Sequence, residues 1–272
     1  MTTWDRFVRW LSKRDWGGAV DRHGHPTTTE RGYIRSYIWL RLVVGGVGLL
    51  LPLILWIGEW FFLAAPVQAR DSISSYYHSP MRDWFVASLA VIGVLLIAYM
   101  PETWNKESAW STIAGVALLG VAFLPTERPH LPKGAPLCEA TPKPVDCTDL
   151  EHRFHEHTVG DIHMICAVVA LFSLGVIALL FAGRAKWGDR RDPDNRLALT
   201  QLICGCVIFL SLAVAATNWI ARWRSPVFEL TPIYLGEVGT VLAFAVCWIV
   251  QGANLRSWLR GEERAEKRAH AA

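Results

Sequence analysis

The chain has 272 residues, of which 52% are hydrophobic and 19% charged, against about 25% charged in an average soluble domain. That balance excludes an ordinary soluble domain and points to the membrane class. A net charge of +3 gives no reason to expect a nucleic-acid partner, so the placement of the charges matters more than their sum.

Residues 1–36 precede any long apolar run. Trp4, Phe7, Val8 and Leu11 recur at helical spacing, with Arg6, Arg9, Lys13 and Arg14 between them. This is the pattern of a short helix lying on anionic lipid, and a disordered basic tail fits it equally. The stretch is too polar, and the first apolar run too late, for a cleavable signal. His23, Gly24, His25 and Pro26 read as a linker.

Six apolar runs follow, at roughly 38–63, 83–100, 109–124, 162–183, 198–220 and 234–254; a spanning helix needs about 20 residues. Lipid offers no partner to backbone N–H and C=O groups, so each run is expected to be helical. The expected fold is an all-α, polytopic transmembrane bundle of six helices over 37–254, flanked by basic segments 1–36 and 255–272. Gly45, Gly46 and Gly48 in the first run suit close helix packing.

Lys and Arg set the orientation. Eighteen lie in segments on the same side as the termini and eight in segments on the other. The positive-inside rule then puts both termini in the cytoplasm of a cell (inner) membrane and the loop 125–161 outside. Cys138 and Cys147 share that loop, where a disulfide is plausible in an oxidising compartment. Cys166, Cys204, Cys206 and Cys247 fall in apolar runs and read as small packing residues. Trp56, Trp60, Trp84, Trp110 and Trp219 sit near run ends, as interfacial belts do.

This topology gives the polar residues a depth. Glu59 lies near the outer end of the first run, His78 and Asp83 at the outer start of the second, Asp161 and His163 at that of the fourth. Asn218 is near the outer end of the fifth, and Glu237 about one turn into the sixth. Ionisable groups at a membrane boundary are costly and so are candidates for function. In the approach to the fourth run, a continuous helix would put His152, Glu156 and His163 on one face, with His155 and His157 as further candidates, and Gly160 weakens the continuity. Imidazoles and carboxylates suit zinc, which in catalytic sites takes three protein ligands plus a water. The candidate ligands are His78, His163 and Glu237. Asp83 is the candidate base, and Ser74 (or Tyr77) the candidate support for an oxyanion.

Plainer readings stand beside these. The histidines suit interfacial hydrogen bonding, Asp83 suits a helix cap, Glu59 could reach water, and Glu237 could pair with Arg82, Arg222 or Arg224.

Ser74-x-x-x-His78 followed by Asp83 resembles the first motif of the CREST superfamily of membrane hydrolases. That resemblance implies a zinc ligand at His78 with Ser74 and Asp83 beside it; those proteins usually have seven spans and an HxxxH pair in the last, which this chain lacks. The whole layout is more similar to the six-span DRAM/FRAG-type family, in Ile73-Ser74 before the second run, His163 opening the fourth and Glu237 early in the last. It is also similar to bacterial membrane proteins with a Tyr-Tyr-His segment before the second run and a Glu…Phe…Trp pattern in the last (Glu237, Phe244, Trp248). These resemblances imply lipid-linked work at the outer face. Three functions compete: a metal-assisted hydrolase or acyl-transfer enzyme acting on a membrane lipid, a non-enzymatic lipid-headgroup binding or sensing protein, and a transporter using Glu59 and Glu237.

Overall fold

The computed structural model describes residues 28–63, 70–99, 105–128, 134–183, 193–221 and 231–271. The amphipathic stretch at residues 4–11, the linker at residues 23–26, and Arg222 and Arg224 lie outside these residues, and Asn218 is described in its backbone alone. Among the described residues the protein is all-helical, without a strand: α1 (Thr28–Leu63), α2 (Arg82–Ile97), α3 (Lys106–Phe123), α4 (Asp149–Phe154), α5 (Glu156–Ala182), α6 (Pro193–Ala221) and α7 (Pro232–Ala271), with one 3-10 turn at Ser74–His78.

Four stretches, Ile34–Phe62, Glu156–Ala182, Asn195–Thr217 and Pro232–Gly261, are long and apolar enough to cross a membrane. The second and third apolar runs form α2 and α3, with 16 and 18 residues. At 1.5 Å per residue these reach only about 24 and 27 Å, short of a hydrocarbon core of about 30 Å. The helices are apolar on both sides. Leu55 and Ile208 are fully buried, while Phe61 and Leu210 are 72% and 67% exposed, the arrangement of helices whose outer surface faces a non-aqueous medium.

The long helices pack in chain order, α1 on α2, α2 on α3, α3 on α5, α5 on α6, α6 on α7, and α7 closes back on α1. The α1–α7 seam is antiparallel. Gly45 and Gly48 of α1 lie against Ile249 and Ala245 of α7, and Gly252 of α7 lies against Arg41 and Leu42 of α1. An added Cβ at Gly45 would stand 2.5 Å from Ile249 Cγ1, whereas one at Gly46 would meet nothing within 4 Å. Two of the three glycines therefore serve the close packing expected of them, and Gly46 faces away.

At one end of the bundle, the disulfide end, lie the 70–79 loop and residues 125–128 and 134–155. Cys138 and Cys147 form a disulfide. It folds the loop back over Arg128, a buried cation whose Nε and Nη2 donate to the Glu156 carboxylate at 3.0 and 2.8 Å and whose Nη1 donates to Asp146 at 2.9 Å. These bonds hold the Arg128 guanidinium charged well above its ordinary value and hold the Asp146 carboxyl below its own. α4 starts with a capping box, Thr148 and Glu151 satisfying each other's backbone N–H.

Candidate functional site

The approach to α5 is not a continuous helix. The chain breaks at His155, whose φ of 70° is in the left-handed region disfavoured for a residue with a Cβ. The break ends α4 and starts α5, so the expected common face of His152, Glu156 and His163 does not exist. His152 Nδ1 bonds the Cys138 carbonyl at 2.8 Å, Glu156 pairs with Arg128, and His163 sits on α5 below both. Gly160, the expected weak point, is inside α5 and buried. A Cβ there would stand 2.6 Å from Glu127 Cγ, so the glycine admits the 125–128 segment.

The 70–79 loop is strapped to the start of α7. Thr231 donates its hydroxyl to the Asp71 carbonyl and accepts from the Tyr234 N–H at 3.0 Å. The Ile73 backbone N–H donates to Glu237 Oε2, and the Ser74 hydroxyl donates to Oε1 at 3.4 Å. Ser72 and Ser75 brace the turn locally, the Ser75 N–H donating to Ser72 Oγ at 3.0 Å. Beside the strap, fully buried Glu59 of α1 accepts from Arg70 Nε at 2.7 Å, while its second oxygen, Oε2, is buried with no partner. The Arg70 guanidinium keeps 22% exposure and lies over the Tyr76 ring at 5.7 Å. Burial pushes the Tyr76 phenol up, with Tyr234 and Glu59 adding to the rise. Two carboxylates, one partly exposed guanidinium and two phenols thus meet at the disulfide end, between α1 and α7.

The two candidate histidines are elsewhere on the same end. His78 Nε2 bonds the Thr126 carbonyl at 2.6 Å, and His163 Nδ1 bonds the Leu124 carbonyl at 2.7 Å. A carbonyl only accepts, so each ring donates there, and in a neutral imidazole the other nitrogen, Nδ1 of His78 and Nε2 of His163, is the acceptor. His163 is fully buried, and its Nε2 has no partner. Asp83 is exposed in the first turn of α2. Arg82 of the same turn donates to the Tyr77 hydroxyl at 2.8 Å and lies over its ring, so it is not engaged with Glu237.

Ser74 and Glu237 are therefore brought together, while His78 and His163 lie side by side against the 124–126 segment. Among the described residues, the set of three His, Cys, Asp or Glu ligand atoms within 4.8 Å of one another is Cys138, Glu151 and Glu156; the trio His78, His163 and Glu237 forms no such set. Distance alone would let that cluster hold a metal. Its chemistry argues otherwise, since the Cys138 sulfur is in the disulfide, Glu151 caps α4 and Glu156 neutralises Arg128.

Sequence reasoning missed Arg70 as the partner of Glu59, and Arg128 as the centre of residues 125–128 and 134–155. The two pairs are 11 and 28 residues apart, and no local spacing connects them. Searches against family models, curated proteins and solved structures return no match for this chain.

Proposed function

We propose that the chain is a six-span protein of a cell (inner) membrane, with both termini cytoplasmic, and that its outer face binds the headgroup of a membrane lipid. The observation that carries this reading is the cluster of Glu59, Arg70, Tyr76, Tyr234 and Glu237, in which the partly exposed Arg70 pairs with Glu59 and leaves Glu59 Oε2 with no partner among the described residues. A zwitterionic headgroup offers the complementary pair, a phosphate for Arg70 and an ammonium for Oε2 of Glu59, and such charge-assisted contacts are the strong ones at a dry boundary. The DRAM/FRAG-type resemblance supports the reading in one respect. Its two short motif pieces, Ile73-Ser74 and Glu237, are hydrogen-bonded to each other although more than 160 residues apart. The test is native mass spectrometry of the protein released from nanodiscs of mixed phosphatidylethanolamine, phosphatidylcholine and phosphatidylglycerol. Wild type should retain a zwitterionic lipid that Arg70→Gln loses; equal retention by both rules the reading out.

A second reading, a zinc-dependent hydrolase or acyl-transfer enzyme, is favoured by the two histidines. Metal-bound imidazoles characteristically donate their other N–H to a carbonyl or carboxylate, as His78 and His163 do. The ligand set His78, His163 and Glu237 does not fit, because Glu237 is committed to Ile73 and Ser74, and no catalytic step is derived through it. Elemental analysis of purified wild type, His78→Ala and His163→Ala decides: zinc near one equivalent, lost in both variants, supports this reading, and its absence from folded wild type removes it.

A further inference from the structure

At the opposite end of the bundle a second charged group is buried with no carboxylate partner among the described residues. Arg41 of α1 is 2% exposed, two turns inside the apolar part of the helix. Its Nη2 donates to the hydroxyls of Tyr37, at 2.8 Å, and of Tyr99. Its guanidinium carbon lies 4.7–5.7 Å from the ring centroids of Tyr37, Tyr99, Phe181 and Trp248, which come from α1, the residues just past α2, the end of α5 and the middle of α7. Arg41 Nε and Nη1 are buried with no hydrogen-bond partner, and so is Nε1 of the neighbouring Trp248. These atoms are donors only.

Aromatic faces and the C-terminal turns of α2 and α5 favour a cation, so the cage explains why Arg41 tolerates burial. It does not explain three buried N–H groups aimed at no acceptor, which native interiors rarely leave unsatisfied. An ionisable residue inside a span marks function by default, with its partner to be named. The surroundings are polar beyond the cage as well. Gln201 on α6 and Gln251 on α7 are buried at this end, and Gln201 donates to the Cys247 carbonyl at 3.1 Å. A ligand suited to such a donor set must bring acceptor oxygens and a negative charge.

We propose that Arg41 and Trp248 form an oxyanion site within the bundle, for a phosphate or carboxylate group. The group comes either from a free anion or from the headgroup of an acidic phospholipid entering at this end. The site is at the far end from Glu59 and Glu237, so its failure leaves the headgroup reading untouched.

The test is the thermal stability of the full chain in neutral detergent, read as loss of monodisperse protein on size exclusion. Sodium phosphate is titrated against sodium chloride at equal ionic strength, and short-chain phosphatidylglycerol against phosphatidylcholine. Binding to the folded state raises stability by mass action, so wild type should gain a saturable roughly 2–4 °C once the probe exceeds its Kd several-fold. Arg41→Gln should lose the gain. A response to phosphate identifies a free anion, and a response to phosphatidylglycerol alone identifies a lipid headgroup. Because Arg41→Gln could fail to fold, Trp248→Phe is the second variant. It keeps a ring in the cage and removes one donor, and should shift the half-saturating concentration upward at least threefold. No gain in wild type, or an unchanged response in Arg41→Gln or in Trp248→Phe, overturns the proposal.

Discussion

Glu237 accepts a hydrogen bond from the backbone N–H of Ile73, 164 residues earlier in the chain. With Ser74 on its other oxygen, one carboxylate pins a loop that would otherwise present unpaired amides at a membrane edge. Hydrogen bonds to charged groups contribute about 1.5–3 kcal/mol each. Glu237→Ala should therefore lower Tm by several degrees, and Glu237→Gln, which keeps an acceptor oxygen, by less. Side-by-side thermal unfolding checks the order; an alanine variant as stable as wild type would show that the strap contributes nothing.

The Arg128–Asp146 pair makes stability depend on pH in one direction. The guanidinium holds the Asp146 carboxyl below its ordinary value, which is about 3.9 in an unfolded chain. A carboxyl with a depressed folded pKa adds stability that is fully present above the unfolded value and is lost as pH falls through the folded one. Wild type should hold a constant contribution from pH 7 down to about pH 4 and lose it below. Asp146→Asn should be less stable at neutral pH and flatter below pH 4. The effect is modest, because the Asp146 side chain is 62% exposed and solvent screens it. Parallel pH slopes for the two proteins would contradict the assignment.

The disulfide offers a test of both stability and orientation. Cys138 and Cys147 are nine residues apart, and closing a loop of that size contributes about 2.5 kcal/mol in the chain-entropy account. A Cys138→Ser/Cys147→Ser double variant should unfold at lower temperature and loosen the Arg128 clasp. In intact cells, a membrane-impermeant maleimide should label these two cysteines only after a reductant is added from outside. Labelling without reductant would mean the bridge is not formed, and labelling only after lysis would reverse the proposed topology.

Gly45 and Gly46 are adjacent and should respond oppositely to the same substitution. Gly45→Ala drives a Cβ into Ile249 and the Ala245 carbonyl, an overpacking that typically costs about 1–3 kcal/mol. Gly46→Ala meets open space and should gain from alanine's better helix propensity, by up to about 1 kcal/mol. Similar Tm changes in the two variants would rule out the close seam between α1 and α7.

Much of this architecture was legible in the chain because it depends on local composition. Each apolar run falls inside or beside a helix, although α1 starts ten residues before the first run and α7 ends seventeen after the last, and the shared loop of Cys138 and Cys147 made their disulfide plausible. The glutamate near the start of α7 stood out by its depth. The parts that were not legible depend on meetings between distant segments. The common face of His152, Glu156 and His163 required a regular helix, and His155 turns the backbone through a conformation that no periodicity reveals. Arg41 is a single basic residue in a long apolar run, with no local pattern to mark it. Its significance comes from Tyr99, Phe181 and Trp248, which lie 58, 140 and 207 residues further along. Six spans, the orientation and the zinc site were expectations of a different kind, resting on hydropathy, charge bias and resemblance.

The length of α7 joins the two ends of the protein mechanically. Its 40 residues from Pro232 to Ala271 make a rod of about 60 Å, twice the thickness of a hydrocarbon core. Glu237 sits near one end of that rod, Trp248 beside Arg41 partway along, and the charged stretch after Gly261 beyond the bundle. One unbroken helix thus carries the residue that straps Ile73 and Ser74, the ring beside Arg41 and the charged tail, so none of the three can shift along its axis without the others.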